Sequence, residues 1–426
     1  MAEVAGPIDQ LQRWLAERWD PELTLAQWWA RLGASGWSQP HWPPEWFGRG
    51  LLPTEARAVT RTIRQFGAVT APRGFGPDLV GPTLLEHGTA DQKARHLPGI
   101  VTGTDAYCQL FSEPSAGSDL AGLQCRAVRD GDQWVVNGHK VWTSGGQIAN
   151  RAMLVARTDV DAAKHAGLSF FLVDMLQQGV EVRPLREMTG RTRFNEVFLT
   201  DVRVPAADLV GGAGNGWPVA GTTLAFERAA SGGDEAGASA PAGPLAGNLS
   251  RRAGDFAHSP GAPAAPSALE PDAARLAEAA RALGYALDPG LRQDLVVLYV
   301  LEQLRSRNSH RARALQESGR PLPGIANLAK MAENHTRRLG RDVTFAVLGA
   351  AGMLHAYDDQ SVAALEAQSG IEDHAALVEH ALFAQGPPIY GGSDQIQRNI
   401  VGERVLGLPK EPRPGGEVPS GDRPNS

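Results

Sequence analysis

The chain has 426 residues, of which 42% are hydrophobic and 21% are charged, and its formal net charge is −6. This composition is that of a globular protein large enough for two or three structural units. The negative net charge, with no basic run, argues against a nucleic-acid-binding role. Apolar stretches such as DLVVLYVLEQL (294–304) are too short and too interrupted to span a bilayer, which argues against a membrane protein.

The N-terminus and the cysteines indicate where the protein works. The first residues, MAEVAGPIDQ, lack the basic start and apolar run of a signal peptide, so we expect no export. Cys108 and Cys125 are too few for a disulfide framework and are expected to be free thiols. We therefore predict a cytoplasmic protein.

Residues 1–104 are predicted to form an N-terminal helical domain. Apolar residues recur at helical spacing in LTLAQWWARLGASGW (23–37), and the prolines that follow from Pro40 onwards impose an extended turn. We expect the tryptophans here to be packing anchors rather than base-stacking surfaces, because no basic patch accompanies them. They are Trp14, Trp28, Trp29, Trp37, Trp42 and Trp46.

Residues 105–212 are predicted to form a β domain. The segment RAVRDGDQWVVNGHKVWTS alternates around Asp130-Gly131, a turn signal that predicts a hairpin. Further short strands are predicted in AMLVART, LSFFLVDM, VEVRPL and NEVFLTDVRVP. The glycine-rich VGGAGNGW (210–217) lacks the strand-turn-helix context of a dinucleotide site and is interpreted as a connector.

Residues 213–411 are predicted to be helical again. Residues 231–271 are rich in Gly, Ala, Pro and Ser and are predicted to be a flexible insertion, because such a segment buries little apolar surface of its own. The tail, 412–426, is predicted to be disordered.

Four motifs in order carry a family resemblance. They are GPTLLEHGTADQKARHLPGI (81–100), QLFSEPSAGSDLAG (109–122), NGHKVWTSGG (137–146) and IYGGSDQIQRNIVGERVLGLPKEP (389–412). Together they resemble the acyl-CoA dehydrogenase family. The resemblance implies an α+β fold with an N-terminal helical domain, a middle β-barrel or sandwich domain and a C-terminal four-helix bundle, with FAD bound between them.

The resemblance also implies site residues. Those expected to bind FAD are Gln109, Phe111, Ser112, Gly117, Ser118, Trp142, Thr143, Ser144, Ser393 and Gln395. Those expected to bind the acyl-CoA substrate are Ser118, Arg228, Tyr390 and Gly391. The alternatives are that SEPSAGSD is only a turn between elements and that Trp142 is an inward-facing strand residue.

The reaction of this family needs a base that removes the α-proton of the thioester while the flavin accepts the β-hydride. In many members a carboxylate follows the tyrosine of the last motif, but here Tyr390 is followed by Gly391. Some members place the base on the first helix of the C-terminal domain, where this chain has TTLAFER (222–228). We therefore predict Glu227 as the base, with an apolar setting that raises its pKa.

The neighbours of this base have predicted roles and alternatives. By resemblance, Arg228 engages the CoA portion, and the backbone N–H of Gly391 polarises the thioester carbonyl. The alternatives are a solvated Glu227-Arg228 pair and a simple tight turn at Gly391-Gly392. Metal catalysis is not expected, because His87 and His96 lack ligand spacing and no Cys/His cluster accompanies them.

The half of the FAD site that homo-oligomeric relatives lend to a neighbour is weakened here. The region around LDPGLRQDLVVL shows no R-x-x-F-G, and AVLGAAG has Ala346 where a glutamine is expected, although Gly349 remains. A homo-oligomer is possible by resemblance, but we expect a hetero-oligomer with a paralogous dehydrogenase subunit, as in members that act on bulky steroid side-chain thioesters.

The leading functional hypothesis is a dehydrogenase that passes electrons from FADH2 to an electron-transferring flavoprotein and yields a trans-2-enoyl-CoA. A second hypothesis keeps the fold but makes the chain a non-catalytic partner of an active paralogue. A third is a flavoenzyme that acts on a carrier-protein thioester or reduces oxygen.

Overall fold

The N-terminal part of the chain is helical, as predicted. The computed structural model of the protein describes residues 6–230, 240–257, 272–284, 288–320 and 322–410. The helices of this first part are α1 (Pro7–Arg18), α2 (Leu25–Ala34), α3 (Pro53–Phe66), α4 (Gly81–His87) and α5 (Ala90–Val101). Capping boxes at Thr24 and Thr89 start α2 and α5 by satisfying backbone N–H groups that have no partner within the helix.

Tryptophans form the centre of this helical part. Trp28 and Trp29 are fully buried on α2, and their indole N–H groups donate to the carbonyls of Val69 (2.8 Å) and Thr70 (2.9 Å). A buried Trp retains a polar N–H, and these bonds satisfy it. Trp37 and Trp42 are also buried. The prediction of packing anchors is therefore confirmed for these four residues.

The middle of the chain is a sheet. Its strands are β1 (Tyr107–Leu110), β2 (Arg126–Asp130), β3 (Gln133–Ser144), β4 (Arg151–Arg157), β5 (Leu168–Asp174), β6 (Val180–Leu185), β7 (Phe194–Pro205) and β8 (Leu209–Val210). They pair in the order β6-β7-β3-β2-β4-β5-β8, and β1 runs parallel to β4. Gly131, with a φ of 62°, turns β2 into the antiparallel β3, which confirms the predicted hairpin.

The C-terminal part is helical. Its helices are α6 (Gly216–Ala230), α7 (Ala273–Ala282), α8 (Pro289–Glu317), α9 (Ile325–Leu348), α10 (Asp359–Ser369), α11 (His374–Phe383) and α12 (Asp394–Ile400). α7, α8, α9 and α11 share one apolar core, which contains Leu276, Leu298, Val343, Val347, Leu377 and Val378. α6 packs instead on α4 and β5. The predicted α+β fold, with helical ends, a β domain between them and a C-terminal bundle, is confirmed.

The prediction that residues 231–271 form a flexible insertion is wrong for the central part of this segment, residues 240–257. Residues 240–257 pack on the N-terminal helices, where the N–H of Leu25 donates to the carbonyl of Arg251 (2.8 Å) and the N–H of Ala253 to that of Leu23 (2.7 Å). Ala253 is fully buried in the core that contains the tryptophans of α2. The composition of this segment predicts only how much apolar surface its own side chains can bury. Its order comes from packing against α2, a surface that the segment's composition does not reveal. Residues 231–239 and 258–271, and the tail 412–426, lie outside the described residues.

Two further observations concern membrane crossing and the thiols. None of the helices in the described ranges is both long enough and apolar enough to cross a bilayer. Cys108 and Cys125 are buried free thiols, and burial raises the pKa of Cys125 to about 11 and that of Cys108 to about 12. Both thiols are therefore protonated and poorly reactive at neutral pH.

Candidate active site

Helix α6 is anchored to α4 one turn before the predicted base. The hydroxyls of Thr83 and Thr223 share a buried hydrogen bond of 2.9 Å, and Nε2 of His87 lies 2.8 Å from Oγ1 of Thr222. Because helix positions four apart lie on one face, the Thr83–Thr223 contact also sets the direction of the side chain at position 227.

Glu227 is half-buried at this end of α6 and meets a residue from a different motif. Nε2 of Gln109, on β1, donates to Oε2 of Glu227 at 3.4 Å. Burial raises the pKa of the Glu227 carboxyl, although the Gln109 hydrogen bond and the positive charges of Arg228 and Lys330 oppose the rise. The fold thus brings together two residues that the sequence separates by more than a hundred positions, and a fully solvated Glu227 is excluded.

Arg228 lies beside Glu227 and is also half-buried. Burial lowers the pKa of its guanidinium, the charge of Glu227 opposes that change, and the like charge of Arg404 adds to it. The guanidinium nevertheless remains positive at any working pH. The end of α6 therefore presents two groups side by side. The Glu227 carboxylate can accept a proton, and the Arg228 guanidinium stays positively charged.

The Gly391-Gly392 segment is a tight turn held by a glutamine. Both glycines have positive φ values, 65° and 86°, which an L side chain rarely adopts. Nε2 of Gln397 donates to the carbonyls of Gly391 (3.0 Å) and Gly392 (3.2 Å), and Nδ2 of Asn327 donates to Oε1 of Gln397 at 2.6 Å. The turn interpretation is correct, and it leaves open a role for the backbone N–H.

The turn of the last motif is held by Gln397, a residue for which the sequence analysis predicts no role. Gln395, the predicted FAD ligand, is exposed, whereas the buried Gln397 holds the turn. Ser393 caps α12, where its hydroxyl accepts a 3.4 Å hydrogen bond from the N–H of Ile396. Gln397 lies about one helical turn after the N-cap Ser393, and its side chain reaches back to the glycines that precede the helix.

Lys330, on α9, is a site residue that sequence reasoning missed. Its Nζ lies 5.2 Å from the ring centroid of Tyr390 and 4.0 Å from Oε2 of Glu333. Burial lowers the pKa of Lys330, and Glu333 and Glu227 are among the carboxylates that oppose this change. Burial also raises the pKa of Tyr390 to about 12, so its hydroxyl stays protonated at neutral pH.

A buried ion pair joins the second and third motifs. Nζ of Lys140, on β3, donates to Oε1 of Glu113 and to the carbonyls of Phe111 and Val155, each at 2.9 Å. Glu113 also accepts the N–H groups of Gln124 (2.7 Å) and Cys125 (2.9 Å). All three ammonium protons and both carboxylate oxygens are thus used, the condition under which a buried ion pair is tolerated.

Trp142 and Thr143 follow this pair on β3 and point in different directions. The pairing of β3 with β7 is irregular between Lys140 and Thr143, and Trp142 has a φ of 62° and is 58% exposed. The inward-facing interpretation of Trp142 is therefore wrong. An exposed Trp in strained backbone at a bulge is typical of a binding surface.

Thr143, the residue after Trp142, faces the interior of the protein. Its side chain is fully buried, and its hydroxyl has no hydrogen-bond partner in the described part of the chain. A buried hydroxyl left unpaired is costly and rare in native proteins. This hydroxyl lies on the buried side of β3, away from the exposed ring of Trp142, so a ligand on that ring would not reach it.

The other residues predicted to bind FAD differ in how far they are exposed. The side chain of Phe111 is buried in the core against Phe170, so only its backbone faces the site. Ser112 and Ser144 are half-buried, and the carbonyl of Ser112 accepts the N–H of Val141 at 3.0 Å. Gly117 and Ser118 are exposed in the loop after Glu113. These assignments stay predictions.

The histidines of the N-terminal part serve in hydrogen bonds. His96 lies between the hydroxyl of Tyr107 (3.2 Å) and Oδ1 of Asp208 (3.0 Å), and His87 contacts α6 as described above. Within the ranges that the structure describes, no three His, Cys, Asp or Glu side chains are grouped around a possible metal site.

Lys140→Met is expected to lower the free energy of unfolding by about 3–5 kcal/mol, because it leaves Glu113 charged and buried without its partner. Urea unfolding followed by circular dichroism measures this. The control is Arg203→Ala, which breaks an exposed pair with Asp130 in the same domain and should cost about 1 kcal/mol or less. Equal effects of the two substitutions would contradict the structural role of Lys140.

Glu227→Gln is expected to stabilise the protein relative to wild type as the pH rises. The folded pKa of Glu227 lies above its ordinary value of 4.5, so the folded state binds this proton more tightly than the unfolded state. Stability is therefore lost as the pH rises from 4.5 through the folded pKa, and Gln removes that loss. The difference in unfolding free energy between variant and wild type should grow from about pH 4 to about pH 8. A constant difference would mean an unperturbed carboxyl.

Similarity to known proteins covers most of the chain. The N-terminal, middle and C-terminal domain models of acyl-CoA dehydrogenase match residues 8–104, 108–202 and 272–406. The acyl-CoA dehydrogenase IpdE1 of Mycobacterium tuberculosis is 36% identical over 385 residues, which are 90% of this chain and 88% of that protein.

Two solved structures share the fold. The "Tcur3481-Tcur3483 steroid ACAD" has a TM-score of 0.66 at 26% identity and covers 95% of this chain and 94% of its own. The ChsE4-ChsE5 complex from Mycobacterium tuberculosis has a TM-score of 0.63 at 24% identity, covering 96% of this chain and 100% of its own. With the domain matches in the same order, the chain belongs to the acyl-CoA dehydrogenase family of flavoprotein oxidoreductases.

Proposed function

We propose that this protein is an FAD-dependent dehydrogenase that converts an acyl-CoA thioester to the trans-2-enoyl-CoA, with Glu227 as the base. The observation that carries the proposal is the half-buried carboxylate of Glu227, held by Gln109 of the strand that leads into the SEPSAGSD loop. Gly391 offers no side chain, so the position after Tyr390 supplies no base.

The environment of Glu227 suits proton abstraction. A thioester α-proton is weakly acidic, and a general base works best when its pKa lies near the working pH. Burial moves the pKa of Glu227 upwards, in that direction, and the Gln109 hydrogen bond orients the carboxylate. As the proton leaves C2, negative charge develops on the thioester oxygen, where a backbone N–H at Gly391 would stabilise it.

FAD would be held by the Ser112–Ser118 loop and by β3. The exposed ring of Trp142 would supply an aromatic wall, and the half-buried hydroxyls of Ser112 and Ser144 would supply hydrogen bonds. When bound, FAD supplies the acceptor for the β-hydride. The cation of Arg228 would face the CoA portion of the substrate.

We further propose that the working enzyme is a hetero-oligomer with a paralogous subunit. One face of α8 exposes apolar side chains at helical spacing, each 39–54% accessible: Val296, Val297, Tyr299, Val300 and Leu304. Such a stripe is typical of an interface. The similar steroid ACAD structure carries two component names, and Ala346 in this chain replaces the glutamine that homo-oligomeric relatives lend.

Three finer parts of the proposal rest on the resemblance and on similar proteins. The electron acceptor is an electron-transferring flavoprotein, and the protein acts in the cytoplasm. The acyl group is bulky, a proposal supported by the fold that this chain shares with a protein described as a steroid ACAD.

An anaerobic titration of the purified, flavin-loaded protein with acyl-CoA thioesters tests the function. We expect the visible flavin band to bleach with a bulky polycyclic acyl-CoA and to bleach less with straight-chain ones, and we expect enoyl-CoA by mass spectrometry. The free acids serve as controls. A band that no thioester bleaches would contradict the dehydrogenase, and rapid peroxide formation in air would favour an oxidase instead.

Copurification with a paralogous acyl-CoA dehydrogenase subunit from the same organism tests the oligomer. We expect flavin occupancy to be low for the chain alone and to approach one FAD per site in the complex. Val300→Asp should abolish the complex, because it places a charge on the apolar face of α8. The control is Gln360→Asp, at an exposed position on α10 rather than on α8. Full FAD occupancy in the isolated chain would rule out the shared site.

A further inference from the structure

The loop between β6 and β7 (residues 186–193) reaches from the β domain to the C-terminal bundle. Arg191 and Arg193, at the end of this loop, both pair with Glu379 of α11. Nε of Arg191 donates to Oε2 of Glu379 at 3.0 Å, while Arg193 donates to the other oxygen, Oε1. The Glu379 side chain is only 8% exposed. Such a pair holds its geometry, because separating it would leave a buried charge without a partner.

A second set of contacts fixes the same loop to the bundle. Nε2 of His355, in the segment after α9, donates to the carbonyl of Thr189 at 3.2 Å. Gly190, with a φ of 80°, lies so close to Tyr357 that an added Cβ atom would overlap the ring. The loop therefore cannot shift relative to the bundle without breaking contacts at both places.

Arg193 and the residue after it contact two different parts of the proposed site. Cζ of Arg193 lies 4.8 Å from the ring centroid of Phe383 on α11, a distance that allows a cation–π interaction. The ring of Phe194, the first residue of β7, packs edge-on against Trp142 with the centroids 5.8 Å apart. Two consecutive residues thus contact the bundle and the exposed ring that is proposed to border the flavin.

The end of α11 extends this series of contacts to the last motif. The rings of Phe383 and Tyr390 are in contact, with their centroids 6.3 Å apart. The N–H of Tyr390 donates to the carbonyl of Gly386 at 3.1 Å, and an added Cβ atom at Gly386 would lie 2.9 Å from Cε1 of Tyr390. An unbroken series of contacts therefore joins Arg193 to the residue that precedes the Gly391 turn.

We propose that Arg193 is a positioning residue that sets the spacing between Trp142 and the Tyr390–Gly391 turn. Its guanidinium is held on Glu379 and on the Phe383 ring, and its backbone continues directly into Phe194. Hydride transfer depends on that spacing, because a misplacement of about 1 Å can lower such a rate about a hundredfold. This inference rests on the proposed function and adds a residue that joins the two sides of the site.

Hydrogen–deuterium exchange of the flavin-loaded protein tests the series of contacts without any turnover. Arg193→Met removes the cation from Glu379 and from the Phe383 ring. We expect backbone exchange to become about tenfold faster in the peptides that cover 141–146 and 385–392, because both segments lose a shared support. Exchange in α2, whose tryptophans lie in a different apolar core, should stay the same. Unchanged exchange in either segment, or equal acceleration in α2, would overturn the inference.

The rate of flavin reduction by acyl-CoA tests the functional consequence. In Arg193→Met, the maximal rate per bound flavin should fall about tenfold to a hundredfold, while the acyl-CoA concentration at half-maximal rate stays the same. Arg193→Lys should recover most of the rate, since it restores a cation between Glu379 and Phe383. The matched control is Arg191→Met, which should keep most of the rate because Arg193 retains its ion pair and its ring contact. Equal losses in Arg191→Met and Arg193→Met would overturn the inference.

The outcomes separate the two proposals. Wild-type protein that no acyl thioester reduces would contradict the proposed function, while the exchange experiment would still decide on the series of contacts. If Arg193→Met loses its fold or its flavin, Phe383→Leu is measured in the same way, because it removes the ring contact and keeps the pair with Glu379. A wild-type rate per bound flavin in the variant that is measured overturns the inference. Loss of the fold in both variants overturns it too, because Arg193 is then a structural residue.

Discussion

The buried pair of Lys140 and Glu113 is the interaction on which the candidate site depends. Each ammonium proton of Lys140 and each oxygen of Glu113 is used, and the partners lie on β3, on β4 and in the loop after β1. The pair therefore fixes the SEPSAGSD loop against the strand that carries Trp142 and Thr143. Without it, the two segments expected to enclose a flavin would be held together more weakly, through the hydrogen bond from the N–H of Val141 to the carbonyl of Ser112.

The site assembles around that framework from both helical parts of the chain. The proposed base, Glu227, lies on α6, which the Thr83–Thr223 hydrogen bond ties to the N-terminal part. The Gly391 turn comes from the end of the bundle, where Gln397 holds its carbonyls. A carboxylate and a backbone donor on separate elements can be set at opposite sides of one thioester, and each can change without displacing the other.

Features that depend on residues close together in the sequence could be predicted, whereas features that depend on distant residues could not. The buried tryptophans and the hairpin at Gly131 follow from short-range patterns, and the motifs indicated both Gln109 and Glu227. Three features arise from partners distant in sequence. Residues 240–257 are ordered because α2 offers them a surface, Lys330 borders the Gly391 turn because α9 faces the last motif, and Gln397 holds that turn because α12 begins at Ser393. The side chain of Trp142 projects outwards because the pairing of β3 with β7 contains a bulge at this position. The alternation of apolar and polar residues does not reveal that bulge.

Proton removal by Glu227 can be measured apart from hydride transfer. Under anaerobic conditions in D2O, the complex should exchange the C2 hydrogens of a bound acyl-CoA whose β-carbon is replaced by sulfur, which mass spectrometry follows. We expect Glu227→Gln, matched to wild type in flavin content, to exchange at least ~100-fold more slowly, the smaller end of what general-base catalysis contributes. Exchange at the wild-type rate in Glu227→Gln would show that another group removes the proton.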